Sequence, residues 1–250
     1  MKQRYFIELS YRGTHFHGWQ IQPNANSVQE TIEKGLSTIC RETIDITGTG
    51  RTDTGVHAMY YVAHFDSFHD DLDSSDFTHK LNSFFNQDIA VFAVRKVSPE
   101  AHARFDAISR TYHYYIHQRK DPFLQETSWY FPKRLNVENM NNAAQLFLGQ
   151  HDFTSFSKLH TDVKTNICTV HEAFFIENEH RLIFKITANR FLRNMVRAIV
   201  GTLTDVGLGK ISPEDVGIVI ESYDRGKAGM SVPAHGLFLT DVVYPDFHRF

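Results

Sequence analysis

The apolar residues of this chain change their period repeatedly, and that alternation limits what the chain can fold into. Tyr5, Ile7, Leu9 and Tyr11 recur at every second position, the period of a half-buried strand. Val28, Ile32, Leu36 and Ile39 then fall at helical spacing behind Ser27 and Glu30, an S-x-x-E capping box. "TIDIT" at 43–47 and "YYVAHF" at 60–65 predict two more strands, 77–85 a helix, and "IAVFAVRKV" at 89–97 another strand. A similar order follows residue 105: a strand in "SRTYHYYIH" at 109–117, a helix over 137–148, and strands near 167–177 and 181–188. Leu192, Met195, Val196, Ile199, Val200 and Leu203 form one apolar helical stripe. Pro213 opens a short helix behind Ser212, and "GLFLTDVVY" at 236–244 closes the chain as a strand. Strands joined by both hairpins and helices predict an α+β fold rather than a parallel doubly wound one. Two mixed αβ domains of similar size are expected, 1–105 and 106–250.

At 250 residues and 42% hydrophobic content the chain has enough apolar material to fold without help. Cys40 and Cys168 each sit inside an apolar pattern, which suits a reducing compartment better than a disulfide scaffold. The first ten residues, "MKQRYFIELS", lack the apolar core of a signal peptide, and no apolar run approaches the ~18 residues of a membrane span. A soluble cytoplasmic protein with no membrane partner is expected. The net charge of −3, from 26 Lys and Arg against 29 Asp and Glu, is not that of an ordinary nucleic-acid binder. Its distribution is uneven. Asp66, Asp70, Asp71, Asp73 and Asp76 crowd one stretch, while Arg181, Lys185, Arg190, Arg193 and Arg197 run with no acid between them. The second group reads either as a local basic strip or as a solvated face.

Between two apolar runs lies "GTGRTDTGVHA", residues 48–58. It contains no G-x-x-x-x-G-K-[ST], so it is not a Walker-type phosphate loop. Gly48 and Gly50 would begin a dinucleotide fingerprint, but Asp53 occupies the third glycine position, where a carboxylate would repel a pyrophosphate. Gly48, Gly50 and Gly55 are more glycines than a plain turn requires. The composition suits a carboxylate presented on a pliable loop at a sheet edge, with the Arg51 guanidinium two residues away. Composition alone leaves a structural loop equally open.

Other chemistry is sparse. Among the 15 histidines His15-x-His17 lacks accompanying acids or cysteines, so no metal site is expected. His151-Asp152 imitates part of a hydrolase triad, but no G-x-S-x-G accompanies it. Tyr112, Tyr114 and Tyr115 read by themselves as a core strand with one wet edge.

Six segments in order alter that reading: "FHGWQ" (16–20), "GTGRTDTGVHA" (48–58), "RFDAISRTYHYYI" (104–116), "DFTSF" (152–156), "FLRNMVRAIVGTL" (191–203) and "SVPAHGLFLTDVVY" (231–244). Together they resemble the tRNA pseudouridine synthase A family over nearly the whole chain. The resemblance implies a cofactor-free isomerase acting on uridines 38, 39 and 40 of the tRNA anticodon stem-loop. It implies two like-folded αβ domains, each a mostly antiparallel sheet with helices on one face, flanking an active-site cleft. A homodimer in which one tRNA contacts both chains is implied as well.

The same resemblance assigns roles. The Asp of G-R-T-D, here Asp53, is the essential catalytic carboxylate, and Arg51 before it helps hold the flipped nucleotide. The first Tyr of S-R-T-Y, Tyr112, stacks on the target uracil; the Arg of M-V-R-x-I-V-G, Arg197, pairs with the catalytic carboxylate. A helical wheel alone would make Arg197 a surface residue. Thr54 stands where Ala is common, and Asp106 replaces a frequent Ser, placing negative charge near the tyrosine strand.

The inventory agrees with this chemistry. Converting uridine to pseudouridine breaks a C–N glycosidic bond, turns the uracil and rejoins it through carbon, with atoms and redox state conserved. A glycoside hydrolase typically needs two carboxylates, one of them to activate water. An isomerase needs one, and must keep water from the detached base. Two other readings stay open: an RNA-binding module of this fold without activity, and a hydrolase pairing Asp53 with a histidine. Only the isomerase converts uridine without a change in mass.

Overall fold

The computed structural model of the protein describes residues 2–158, 164–179 and 181–245. These form two compact units: the residues up to 108 together with those from 239 on, and residues 109–238.

The first unit is built on the strands β1 (Gln3–Tyr11), β2 (Ile46–Gly48), β3 (His57–Ser67) and β4 (Ile89–Lys96). β1 lies between β3 and β4, antiparallel to both, and β2 pairs antiparallel with the Ala63–Phe65 end of β3. Helix α1 (Val28–Cys40) starts as predicted, with the Ser27 side chain accepting from the Glu30 backbone N–H at 3.2 Å. Its Val28, Ile32 and Leu36 are buried. "TIDIT" is a strand only in its second half. Ile44 N–H donates to Ser37 Oγ at 2.9 Å and Ile46 N–H to Glu33 Oε1 at 3.0 Å, so this stretch is tied to α1 before it reaches the sheet. Helix α2 (Ser75–Phe84) begins two residues earlier than its apolar pattern, because Ser74 caps it by accepting from Phe77 N–H.

The second unit contains β5 (Ser109–His117), β6 (Trp129–Tyr130), β7 (Gly149–Asp152), β8 (Ile167–Asn178) and β9 (Arg181–Ala188). Its strand order is β5-β9-β8-β7, antiparallel throughout, with β6 added parallel to β5. Helix α3 (Val137–Ala144) continues as a 3-10 turn over Gln145–Phe147, so the predicted helix over 137–148 changes character in its last turn. Helix α4 (Met195–Gly207) is buried on more than the predicted stripe. Thr202 and Thr204 are buried too, and their hydroxyls donate to Ala198 O and Val200 O. Helix α5 (Asp215–Glu221) starts two residues after Pro213, where Ser212 and Asp215 exchange side-chain-to-backbone bonds. The last strand, β10 (Leu237–Val243), runs from the second unit into the first, where it lies beside β3. Both units are mixed αβ with mostly antiparallel sheets, the fold class expected.

Each charge cluster is partly paired and partly exposed. Asp66 forms a two-point ion pair with Arg4, both bonds at 2.8 Å, while Asp70, Asp71, Asp73 and Asp76 stay exposed. In the basic run, Lys185 is matched by Glu172 at 2.8 Å, and Arg181 and Arg193 are exposed. Cys40 and Cys168 are buried free thiols. Among the described residues no helix is long and apolar enough to cross a membrane.

His64 is a buried histidine with a structural duty: its Nδ1 accepts from Ala103 N–H at 3.1 Å. Burial first, then the charges of Arg4 and His102, push this imidazole down to about 4. A histidine whose folded pKa lies below its unfolded value of ~6.5 stabilises the protein fully above ~6.5 and loses that contribution as pH falls through the folded value. The stability lost between these limits is expected to reach about 3 kcal/mol. His113, His117 and His235 are shifted in the same direction, so the difference between parent and variant isolates His64. His64→Asn should flatten the decline in chemical-denaturation stability over this window; an unchanged slope would remove His64 as its cause.

Candidate active site

The loop between β2 and β3 is not pliable. Trp19 stacks on Tyr61 with ring centroids 4.1 Å apart and planes at 27°, and Tyr11 meets Tyr61 edge-on at 5.5 Å. From this aromatic floor the Tyr61 hydroxyl donates to Gly50 O at 2.5 Å, and the Tyr11 hydroxyl shares a 2.9 Å hydrogen bond with Thr52 Oγ1. Trp19 N–H donates to Thr52 O at 3.2 Å, Gly55 N–H to Phe16 O at 3.4 Å, and Val56 N–H closes a turn on Asp53 O at 3.1 Å. Asp53 is half-buried beside the tied Thr52, and its own carbonyl accepts from Val56, so its carboxylate starts from a fixed backbone. Arg51, on the same loop, is exposed.

Of the residues that tie the loop, Tyr11 and Tyr61 stand on β1 and β3, while Phe16 and Trp19 come from "FHGWQ", a segment whose only signature in the sequence is its motif. Gly18 of "FHGWQ" has φ +90, and a Cβ there would stand 2.5 Å from Thr52 O and 3.2 Å from the Asp53 carbonyl carbon. Only glycine takes that backbone conformation without strain and leaves that space. Behind it, Arg12 Nε and His15 Nδ1 bond the Asp88 carboxylate at 2.9 and 2.8 Å, and Gly13 N–H donates to the buried His57 Nδ1 at 3.1 Å. His15 is thus held by a carboxylate. Gly18→Ala is expected to lower stability by about 1–3 kcal/mol, the usual cost of a strained backbone position. By moving the loop it should also lower kcat about 10–100-fold. Thermal unfolding and steady-state turnover check this, and a variant with normal turnover would separate the segment from the site.

In the second unit Tyr112 lies on β5 opposite Ile186, half-buried, its ring edge-on to Phe191 at 5.0 Å. Tyr114, two residues on and on the same face, is fully buried and donates from its hydroxyl to Pro233 O at 2.8 Å. Burial holds that hydroxyl well above the ordinary tyrosine range, against the opposing charge of Arg197. Tyr115 faces the other way, edge-on to Phe238 at 5.1 Å.

Arg197 is not the surface residue that the helical wheel gave. It is half-buried on α4, with Nε donating to Val232 O at 2.7 Å and its own carbonyl accepting from Val232 N–H at 3.2 Å. The strap that carries Val232 is itself anchored: Asn194 Nδ2 and Arg225 Nη2 both donate to Ser231 Oγ, and Gly229 N–H donates to Thr202 Oγ1. A helical wheel sees only one helix, and this strap arrives from more than 30 residues away. The structure thus brings Arg51 and Asp53 together on one loop of the first unit, and places Tyr112 and Arg197 in the second. His151 and Asp152 do not form a triad. His151 Nε2 bonds Leu148 O at 2.8 Å and Asp152 Oδ1 accepts from Thr154 N–H at 2.8 Å.

Comparison with known proteins decides between the readings. A family model described as "tRNA pseudouridine synthase" matches residues 9–106 and 143–245. The chain belongs to the tRNA pseudouridine synthase family. It is 53% identical over 244 residues to the tRNA pseudouridine synthase A of Bacteroides fragilis, covering 97% of both chains. The protein of the same name from Porphyromonas gingivalis is 52% identical over 245 residues, again with 97% of both chains covered. That of Bacillus subtilis is 40% identical over 240 residues, covering 94% of this chain and 97% of its own. As a pseudouridine synthase this chain is an isomerase. Its matched segments contain Arg51, Asp53 and Arg197, and the part of the chain between them contains Tyr112.

Proposed function

We propose that this chain converts uridine to pseudouridine at positions 38, 39 and 40 of the tRNA anticodon stem-loop, with Asp53 as the essential carboxylate and no cofactor. What carries the reading is Asp53 itself: a carboxylate on a loop whose backbone is tied at Gly50, Thr52, Gly55 and Val56. Such fixed placement is what a reaction within a single nucleotide requires.

The atoms balance without a second reactant. The bond from C1′ to N1 breaks, the bond from C1′ to C5 forms, C5 gives up its proton and N1 ends with one. One carboxylate suffices whether it adds to C1′, adds to the uracil ring or takes a sugar proton. Tyr112 offers a ring for the flipped uracil, as base-flipping enzymes use aromatic side chains. Its hydroxyl is the acid–base group for the C5 proton. Arg51, exposed beside Asp53, holds the flipped nucleotide out of the stack, and Arg197 supplies the counter-charge to the carboxylate. The enzyme acts in the cytoplasm as a homodimer, with one tRNA contacting both chains.

Site mapping of modified transcripts tests the positions. A tRNA with uridine at 38, 39 or 40 should acquire pseudouridine there, and one with cytidine at all three should acquire none. Modification of the second transcript at another site would displace the assignment.

A further inference from the structure

The turn after β4 holds an aromatic ring that packing does not explain. Phe105 is 75% exposed, yet the turn beneath it is firmly built. Ala103, fully buried, donates its N–H to His64 Nδ1 at 3.1 Å and accepts from the Tyr244 hydroxyl at 2.5 Å. Arg4 Nη1 donates to Ala101 O at 3.1 Å. His102 Nδ1 accepts from the backbone N–H groups of Arg104 and Phe105, at 3.1 and 3.3 Å. Asp106 closes the turn, accepting from His102 N–H at 2.7 Å. On this frame the His102 and Phe105 rings lie 4.2 Å apart at 32°, and the Arg104 guanidinium carbon stands 5.7 Å from the Phe105 centroid.

We propose that Phe105, backed by His102 and flanked by Arg104, is a stacking platform for an unpaired nucleobase of the tRNA substrate, additional to the residues assigned to the reacting uridine. The proposal rests on the tRNA reading given above. An exposed phenylalanine in a loosely held loop would lose entropy on binding; one fixed through both neighbouring residues has little left to lose. A π-face beside a guanidinium is the pairing that single-stranded nucleic acid selects, because every base has a face to stack and a phosphate nearby. A protein partner would require a wider apolar surface, and here the neighbours of the ring are a histidine and an arginine. The Asp106 carboxylate accepts a backbone bond within the turn, so its negative charge serves to shape the platform.

The test compares Phe105→Ala, Phe105→Leu and Phe105→Trp with the parent on full-length tRNA. Stacking predicts that Ala and Leu raise both Kd and KM about tenfold, the order that one stacked base contributes, with kcat within about twofold. Trp should restore the parent values, and its added fluorescence should be quenched by tRNA. If Leu rescues as well as Trp, or if Ala leaves Kd unchanged, the platform is overturned. If the parent itself neither binds nor modifies tRNA, the tRNA reading fails first and the platform falls with it.

Discussion

Asp53→Asn is expected to bind tRNA and to make no detectable pseudouridine. The substitution is nearly isosteric, and the bonds made by Gly50, Thr52, Gly55 and Val56 do not use the Asp53 side chain. Folding stability should stay within about 1 kcal/mol of the parent. An amide is neither a useful nucleophile nor a base, so the reaction loses the one carboxylate the proposal gives it. Affinity should remain within a few-fold, or tighten slightly as a negative charge near phosphates disappears. A merely structural loop predicts the reverse: near-normal turnover with at most a small change in stability. Turnover by Asp53→Asn at a rate comparable to the parent would make the catalytic assignment of this loop wrong.

Tyr112→Phe should produce the second largest effect. The variant keeps the ring, its edge-on contact with Phe191 and most of the stacking on uracil, worth about 1–3 kcal/mol per base in single-strand binders. KM should therefore hardly move. It loses the hydroxyl assigned to the C5 proton, and loss of an acid–base group typically lowers turnover by about 10²–10⁴-fold. Tyr114→Phe is the matched control, since Tyr114 is buried and its hydroxyl is committed to Pro233 O. That change should cost about 1 kcal/mol of stability, with a far smaller loss of turnover. Equal turnover in Tyr112→Phe and the parent would reduce Tyr112 to a platform for the base.

Where a segment's structure depends on its own neighbours, the letters carried it. Ser27 with Glu30 marked the start of α1, and the two-residue alternation from Tyr5 to Tyr11 marked β1. The short strands β6 and β7 leave no signature in the sequence, because two to four residues show no period and their pairing partners lie elsewhere in the chain. Ile44 sits beside α1 for a similar reason: the Ser37 hydroxyl claims its N–H, and no propensity encodes that contact. The loop at 48–58 looked flexible from its glycines, whereas its rigidity comes from Tyr11, Phe16, Gly18, Trp19 and Tyr61. A helical wheel alone makes Arg197 a surface residue for want of Val232, 35 residues away. In both cases long-range packing supplies a restraint that the motif letters do not express.

The central claim is a mass-neutral isomerisation, and one measurement addresses it directly. The purified chain is incubated with a tRNA transcript, without added cofactor and with metal chelated, and both the digested nucleosides and the soluble fraction are then analysed. The account predicts that uridine falls as pseudouridine rises one for one, with the mass of the tRNA unchanged and no free uracil. Release of uracil would indicate a hydrolase, and tRNA bound with all its uridine intact would indicate a binding module; either result would contradict the account.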